Sequence, residues 1–388
     1  MDSEFDRNVM TSAMDLDTSV ASQFPGHAML SNPTRVEGPE LGAVVAKIED
    51  MLESLIDALT TGTVLALPLR SRDSGRQNMI RFPGANDNEV KKFTSLLLVL
   101  HICHEALVND YIVTKRSIYY QDPALFGSQE FVNRLVDGLA FTLGVSRDAL
   151  NIVAAAKGLI VGDLVVRSKD GTTTKYSYGE KGALLPRTRT IQQLELGAVL
   201  WVLVIEKEAT FRSLAASRFH ATTPAGRGIL VTGKGYPDLA TRQFLSLLRD
   251  VFPLVPMFAV VDYDPDGVGI LSTYTRGSQS LQHEQDATVP DLIWLGPKSH
   301  DLLALTTSTA GGGSAHKLLV PTLADRRKAK HLLANLSRDD AHAEVLRHEL
   351  QMMLFLNIKS EIQMVDEEGH LASWLDERLC NFLDMTDV

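Results

Sequence analysis

Two cysteines in 388 residues, Cys103 and Cys380, are too few for a disulfide scaffold or a four-thiolate zinc module, and they suit a reducing compartment. No apolar run approaches the roughly 20 residues of a membrane-spanning helix, so no membrane partner is expected. The acidic start MDSEFDRNVM lacks the basic-then-apolar pattern of a secretory signal. Positive charge is also short: 38 Lys and Arg against 48 Asp and Glu leave a net charge of −10, which taken whole argues against a polyanion partner. What the chain does have is a 45% hydrophobic content, enough to exclude a mainly disordered chain and to predict two to three domains with real cores.

The charge deficit is confined to the ends. Residues 1–60 hold 11 acidic and 3 basic side chains, and residues 361–388 hold 8 acidic and 1 basic. The segment between carries 34 basic against 29 acidic, a net of +5, which permits a polyanion partner without requiring one.

Residues 1–40 are polar, without a sustained period, and read as a flexible acidic tail. Within 41–68, the spacing of AVVAKIEDMLESLIDALT (43–60) predicts an amphipathic helix, either packed on a core or free to bind a partner. Arg70, Arg72, Arg76 and Arg81 surround a loop or hairpin before the turn Pro83-Gly84. Helices are expected over 89–108, 129–142 and 147–157, with Gly144 as the left-handed residue between the last two and Ser146 as an N-cap. LIVGDLVVR then reads as a strand, Asp170-Gly171 as a turn, and TTTKYSYG as the return. Helices, a short glycine turn, a helix and a β-ribbon form a winged helix-turn-helix pattern, and residues 69–189 are assigned to such a DNA-binding domain.

From 190 to 388 the pattern changes. VLWVLVIE (199–206), GILVTG (228–233), PMFAVVD (256–262) and DLIWLG (291–296) read as buried strands alternating with helices, an α/β domain with a mostly parallel sheet. TSTAGGGSAHK (307–317) reads as a mobile loop, and helices close the chain.

Ligand sites in open α/β sheets lie at the carboxyl ends of strands. Two such ends carry acids: Glu206, and Asp262-Tyr263-Asp264-Pro265-Asp266-Gly267. Three hard oxygen ligands, Glu206, Asp262 and Asp264, suit Mg²⁺. Asp-Pro-Asp-Gly is equally the composition of an ordinary turn. A calcium loop is disfavoured, because a strand precedes the motif and its twelfth position is Thr273. Between the two ends, Gly233-Lys234-Gly235 opens a helix, either as a phosphate cradle or as a plain strand-to-helix turn. His101, Cys103 and His104 point to successive faces of one helix and make no zinc site.

Tyr119 and Tyr120 follow Lys115-Arg116-Ser117-Ile118. A phenol with a pKa of about 10 needs nearby positive charge to act as a nucleophile, and Lys115 and Arg116 would supply it. The plainer reading is one buried aromatic and one hydrogen bond.

In this order, Lys115-Arg116-x-Ile118-Tyr119-Tyr120, V-I-E-K-E, G-K-G-Y-P-D and D-x-D-P-x-G resemble the A subunit of topoisomerase VI, on the side of that family's eukaryotic meiotic double-strand-break branch. Phe82-Pro83-Gly84, His104-Glu105-Ala106-Leu107 and Ala156-Lys157-Gly158-Leu159-Ile160 extend the likeness over about residues 80–300. The resemblance implies a catabolite-activator-like winged-helix domain carrying the nucleophile Tyr120, assisted by Arg116. It also implies a Toprim domain whose Glu206, Asp262 and Asp264 hold Mg²⁺. Where the family often has an aromatic or His, this chain has Asp266, which could reach the metal through water. The implied reaction is a topoisomerase-like double-strand DNA cut through a 5′-phosphotyrosyl bond, made by a homodimer in the nucleus, on chromosomes. The implied partners are double-stranded DNA, a topoisomerase VI B-like subunit that would supply the nucleotide site, and other proteins of the meiotic break machinery.

DNA contact is expected from Lys115, Arg147, Lys157, Arg167, Lys169, Lys175 and Lys234. Residues 157–189 hold seven basic side chains against three acidic ones, the densest positive segment here. Two other readings stand beside this one: a metal-only Toprim nuclease or primase with structural tyrosines, and a non-catalytic DNA-binding scaffold.

Overall fold

The computed structural model describes residues 28–29, 41–70, 77–109, 111–145, 147–153, 156–177, 179, 181–277, 287–308, 318–336, 341–363 and 370–386. The tail expected over 1–40 lies outside these except for strand β1 (Ala28–Met29). Arg72, Arg76, Ser146, the side chain of Arg147, and 309–317 of the glycine-rich stretch lie outside them too.

The first core gathers around helix α1 (Leu41–Thr60). Its apolar residues recur three and four apart, so Val44, Ile48, Met51 and Leu55 share one buried face. That face packs with α2 (Asp87–Val108) and the hairpin of β2 (Leu65–Arg70) and β3 (Gln77–Phe82). Of the two readings left open for the helix within 41–68, the core-packing one holds: it shares a core with the helices after it. Helices α3 (Lys115–Gln121), α4 (Pro123–Phe126) and α5 (Gln129–Leu143) complete this unit, and side-chain caps fix their starts. Thr114 accepts from the Ser117 amide, Asp122 from Leu125 and Ser128 from Phe131. Helix α5 ends on Gly144 in the left-handed region (φ 66°), as its glycine predicts.

The helix expected over 147–157 is replaced by a single 3₁₀ turn, Arg147–Leu150, and a short strand β5 (Ile152–Val153) parallel to β4 (Val113–Thr114). Asn151 stops the helix. It adopts φ 53°, its side-chain amide donates to the Ala106 carbonyl, and its own carbonyl accepts from the Val113 amide. The β-branched pair Ile152-Val153 then follows in extended form.

The α/β domain begins near residue 159 rather than 190. Strand β6 (Leu159–Gly162) joins a six-stranded sheet of order β14-β13-β11-β12-β6-β9. In it β11 (Trp201–Ile205), β12 (Gly228–Thr232), β13 (Met257–Val260) and β14 (Ile293–Gly296) are parallel, β6 runs antiparallel to β12, and the edge strand β9 (Ala183–Leu184) runs antiparallel to β6. The ribbon folds at Gly171 (φ 85°) as expected, between β7 (Leu164–Ser168) and β8 (Thr173–Lys175). It does not belong to the helices before it. With β10 (Ile191–Leu196) and β1 it makes a second sheet, whose Leu164, Val166 and Leu194 share a core with Val202, Val204 and Val231.

Alternation along the strands serves both faces of the main sheet. One face packs on α8 (Leu239–Val251), α9 (Pro265–Arg276), α11 (Leu323–Asn335) and α12 (Ala341–Leu356). The other presents Trp201, Leu203 and Ile205 to α6 (Glu208–Ala216), α7 (Phe219–Thr222) and the last helix, α13 (Leu371–Thr386). Helix α10 (Ser299–Ser308) follows β14. No described helix is long and apolar enough to cross a membrane.

Candidate active site: an exposed tyrosine and an acidic strand end

Helix α3 carries the tyrosine pair. Residues four apart on a helix are neighbours, and Arg116 Nη2 stands 3.5 Å from the Tyr120 hydroxyl, with the guanidinium carbon 5.7 Å from the ring centroid. The hydroxyl beside it holds the guanidinium more firmly protonated. Tyr119 takes the plainer aromatic role: half-buried, it packs on the first core and meets the Tyr120 ring edge-on at 5.3 Å. Tyr120 itself is 59% exposed, so its oxygen is open to a macromolecular substrate.

Lys115, expected at DNA, is not. One position back on the helix it turns inward, is 7% exposed, and pairs its ammonium with Asp137 of α5. Arg167 is exposed but pairs with Glu195 at 2.7 Å, while Lys169 and Lys175 are exposed.

The acids converge because β11 and β13 are parallel neighbours, with Ile205 opposite Val260. Glu206 leaves one strand and Asp262 the other, and the Asp262 amide donates to Glu206 Oε2 at 2.8 Å. Asp264 is the N-cap of α9: its Oδ1 accepts from the Gly267 amide at 2.8 Å, and Pro265 fills the first helical position. The turn reading of Asp-Pro-Asp-Gly is realised as this cap, which uses one of the two Asp264 carboxylate oxygens.

Burial, reinforced by Asp262 and then Asp264, pushes the Glu206 carboxyl up to about 7. Burial also raises Asp264, with Asp262 and Asp266 adding to it. Asp262 has both oxygens engaged, Oδ1 by the Ile362 amide at 2.8 Å and Oδ2 by Lys207 Nζ at 2.9 Å. As they stand, no three acidic, His or Cys side chains among the described residues form a closed metal cluster. The donor chemistry nevertheless fits a divalent cation: three half-buried or buried carboxylates meet at two adjacent strand ends, burial and neighbouring negative charge raise Glu206 and Asp264, and a hard cation would relieve that repulsion. Asp266 is drawn away, paired with Lys328 of α11.

In the Gly-Lys-Gly loop Gly235 takes the positive φ (83°) that glycine allows, while Lys234 is also held in the left-handed region at φ 55°. Its amides do not form an open anion cradle. Lys234 N donates to Thr232 Oγ1 and Gly235 N to the Glu206 carbonyl, so the loop braces the acidic strand end. The Lys234 ammonium pairs with Glu208 at 3.2 Å. Lys157 is tied to the same loop, its amide donating to Asp238 and its ammonium to the Lys234 carbonyl. On α2, His104 meets Glu49 and Cys103 is buried.

Sequence reasoning missed the segment 359–363. Ser360 pairs through backbone bonds with Tyr263, Lys359 with Leu319, and Glu361 and Gln363 reach Lys207. Lys207 was visible in V-I-E-K-E, but nothing local connects it to a segment more than 150 residues away.

An α/β domain with acids at adjacent strand ends, following a helical unit that presents an exposed tyrosine, defines the class: a topoisomerase-like, DNA-cleaving enzyme of type IIB. Residues 201–377 match the family model for the Toprim domain of the topoisomerase 6 A-subunit/Spo11 proteins, a domain class that binds divalent metal, and residues 91–152 match that for Type IIB DNA topoisomerase. The chain is 33% identical over 345 residues to the meiotic recombination protein rec12 of Schizosaccharomyces pombe, covering 86% of this chain and 92% of that protein. It is 31% identical over 339 residues to the human meiotic recombination protein SPO11, covering 82% of each. Over 223 residues it is 35% identical to the DNA topoisomerase 6 A-subunit of Arabidopsis thaliana, covering 57% of this chain and 51% of that one. The chain belongs to the family of Spo11 and the topoisomerase 6 A-subunit.

Proposed function

We propose that this protein makes the DNA double-strand breaks that begin meiotic recombination, acting in the nucleus on chromosomes. The Tyr120 oxygen attacks a backbone phosphorus, an O–P bond to the tyrosine forms, and the bond to the 3′ oxygen breaks. The phenolic proton leaves the nucleophile and a proton is returned to the 3′ oxygen, so the products are a 5′-phosphotyrosyl end and a 3′ hydroxyl. No oxidant or nucleotide is consumed by this exchange. Arg116 steadies the developing phenolate and the phosphate charge. Glu206, Asp262 and Asp264 would hold Mg²⁺, which supplies Lewis-acid stabilisation of the phosphate oxygens when bound. Asp266, already paired with Lys328, would touch that ion only through water.

Two chains cut two strands as a homodimer, together with other break-machinery proteins and a topoisomerase VI B-like subunit. The helical unit up to residue 153 presents Tyr120 to the DNA, and the ribbon of β7 and β8, which packs with the α/β domain, supplies wing-like DNA contact. Lys169 and Lys175, with Arg167, offer salt-sensitive contact to the phosphate backbone, and Arg147, Lys157 and Lys234 are the further candidates for it.

The observation that carries this reading is the exposure of Tyr120 with a guanidinium at its hydroxyl. The test is recovery of DNA ends joined to this chain and mapping of the joined residue. Tyr120→Phe should abolish both breaks and adducts. Breaks that persist in Tyr120→Phe would point to a metal-only nuclease, and breaks indifferent to both Tyr120→Phe and Asp264→Asn would leave only a scaffold.

A further inference from the structure

The acidic strand end already contains a cation. Lys207 stands immediately after Glu206, at the N-terminus of α6, and three acceptors surround its ammonium: Asp262 Oδ2 at 2.9 Å, Glu361 Oε2 at 3.1 Å and Gln363 Oε1 at 2.7 Å. An ammonium has three N–H donors, so this tripod satisfies it completely. The side chain is 24% exposed and that of Asp262 only 9%, so the pair is partly withdrawn from solvent screening.

The two far acceptors sit on a fixed support. Ser360 exchanges both backbone hydrogen bonds with Tyr263, Lys359 does the same with Leu319, and Ile362 is fully buried. The Ile362 amide also occupies Asp262 Oδ1 at 2.8 Å. That leaves Oδ2 as the oxygen Asp262 can offer a metal, and Oδ2 is the oxygen Lys207 holds.

We propose that Lys207 is a resident counter-ion, displaced from Asp262 Oδ2 when the divalent ion enters and retained by Glu361 and Gln363. In the metal-free protein the lysine neutralises a buried carboxylate that would otherwise be costly. With the metal present it keeps two of its three acceptors, so it need not leave the site or re-enter water. Residues 359–363 are thus the receiving half of a cation exchange, and Lys207 acts as a positioning residue. The inference rests on the reading that Glu206, Asp262 and Asp264 hold a divalent ion.

The test is Mn²⁺ binding to the full-length chain, followed by calorimetry and by counting free Mn²⁺ from its paramagnetic resonance. Lys207→Gln should bind Mn²⁺ roughly 3- to 10-fold more tightly, because no ammonium competes for Oδ2. The pair Glu361→Leu/Gln363→Leu should bind it more weakly, because the lysine then has only Asp262, and adding Lys207→Gln to that pair should cancel the loss. Lys328→Gln, which frees Asp266 instead, measures the gain from charge alone and should be smaller. Unchanged or weaker binding in Lys207→Gln, an equal gain in Lys328→Gln, or a loss that survives in the triple variant would overturn the exchange. Should Lys207→Gln fail to fold, the loss in the Glu361/Gln363 variant still decides, since normal affinity there overturns the exchange. A wild-type chain that binds no Mn²⁺, or an Asp264→Asn chain that binds it as well as wild type, would instead sink the metal-site reading itself.

Discussion

Lys115 and Arg116 are adjacent in sequence and opposite in circumstance. A step of one residue along a helix turns the side chain by about 100°, so one cation faces the core and the other faces the Tyr120 hydroxyl. Lys115→Gln should leave Asp137 without its ammonium and lower stability by about 3 kcal/mol in urea unfolding, with the salt dependence of DNA binding unchanged. Arg116→Gln should do the reverse, moving stability by no more than about 0.5 kcal/mol while cleavage is lost. Glu206 gives a prediction in pH. Its carboxyl is raised from 4.5 to about 7, so the folded, metal-free chain binds that proton more tightly than the unfolded chain does. The associated stability is fully present below pH 4.5 and is lost as the pH rises through about 7. Unfolding midpoints measured in a chelator should therefore fall across that window, by up to roughly 3 kcal/mol, and the fall should vanish in Glu206→Gln. Saturating Mg²⁺ should oppose it, because the ion takes the proton's place.

At the scale of elements, the turn that starts α9 is the tightest constraint on the acids. A Cβ added at Gly267 would lie 2.1 Å from the Asp262 carbonyl oxygen, and backbone does not yield at that distance. Gly267→Ala should push the helix start away from β13, cost roughly 2–3 kcal/mol, and abolish Mn²⁺ binding although every acid is still present. A protein that bound the metal normally would show that the cap at Asp264 is incidental. The same turn explains what the sequence made legible. Strands β11 to β14 are short, mostly apolar runs, Gly144 ends a helix because it lacks a Cβ, and Asp238 and Asp264 begin helices through their carboxylate oxygens. Where the answer depended on a distant partner it was not legible. Residues 147–157 have helix-compatible composition, and only the contact of Asn151 with Ala106 and the pairing of β5 with β4 decide against a helix. The ribbon at 164–175 reads correctly as a hairpin, yet nothing local assigns it to the core of β11 and β12. Ile362 holds Asp262 across 100 residues of chain, a relation with no periodic or compositional trace.

At the scale of the whole molecule, the two halves of the proposed chemistry stand in separate units. The Tyr120 hydroxyl has Arg116 as its partner, the acids have Lys207, the Ile362 amide and the start of α9, and neither set includes the other. A transesterification needs the phenolic oxygen and the metal-bound phosphate within near-attack distance, about 3–3.5 Å between reacting atoms. In a homodimer that requirement can be met across the boundary between protomers, with the tyrosine of one chain facing the carboxylates of its partner. Mixing separates this from a site built within one chain. Tyr120→Phe chains and Glu206→Gln chains are each inactive alone under either arrangement. Co-assembled, a shared site would pair an intact tyrosine from one chain with intact acids from the other, restoring one of the two sites. The mixture should then nick one strand and leave one covalent 5′ end, with no double-strand breaks. If each site were built from a single chain, every site in the mixture would lack either its tyrosine or its glutamate and no adduct would form. Counting nicks against double-strand breaks in DNA recovered with the mixed assembly therefore decides which chain's metal serves which chain's tyrosine.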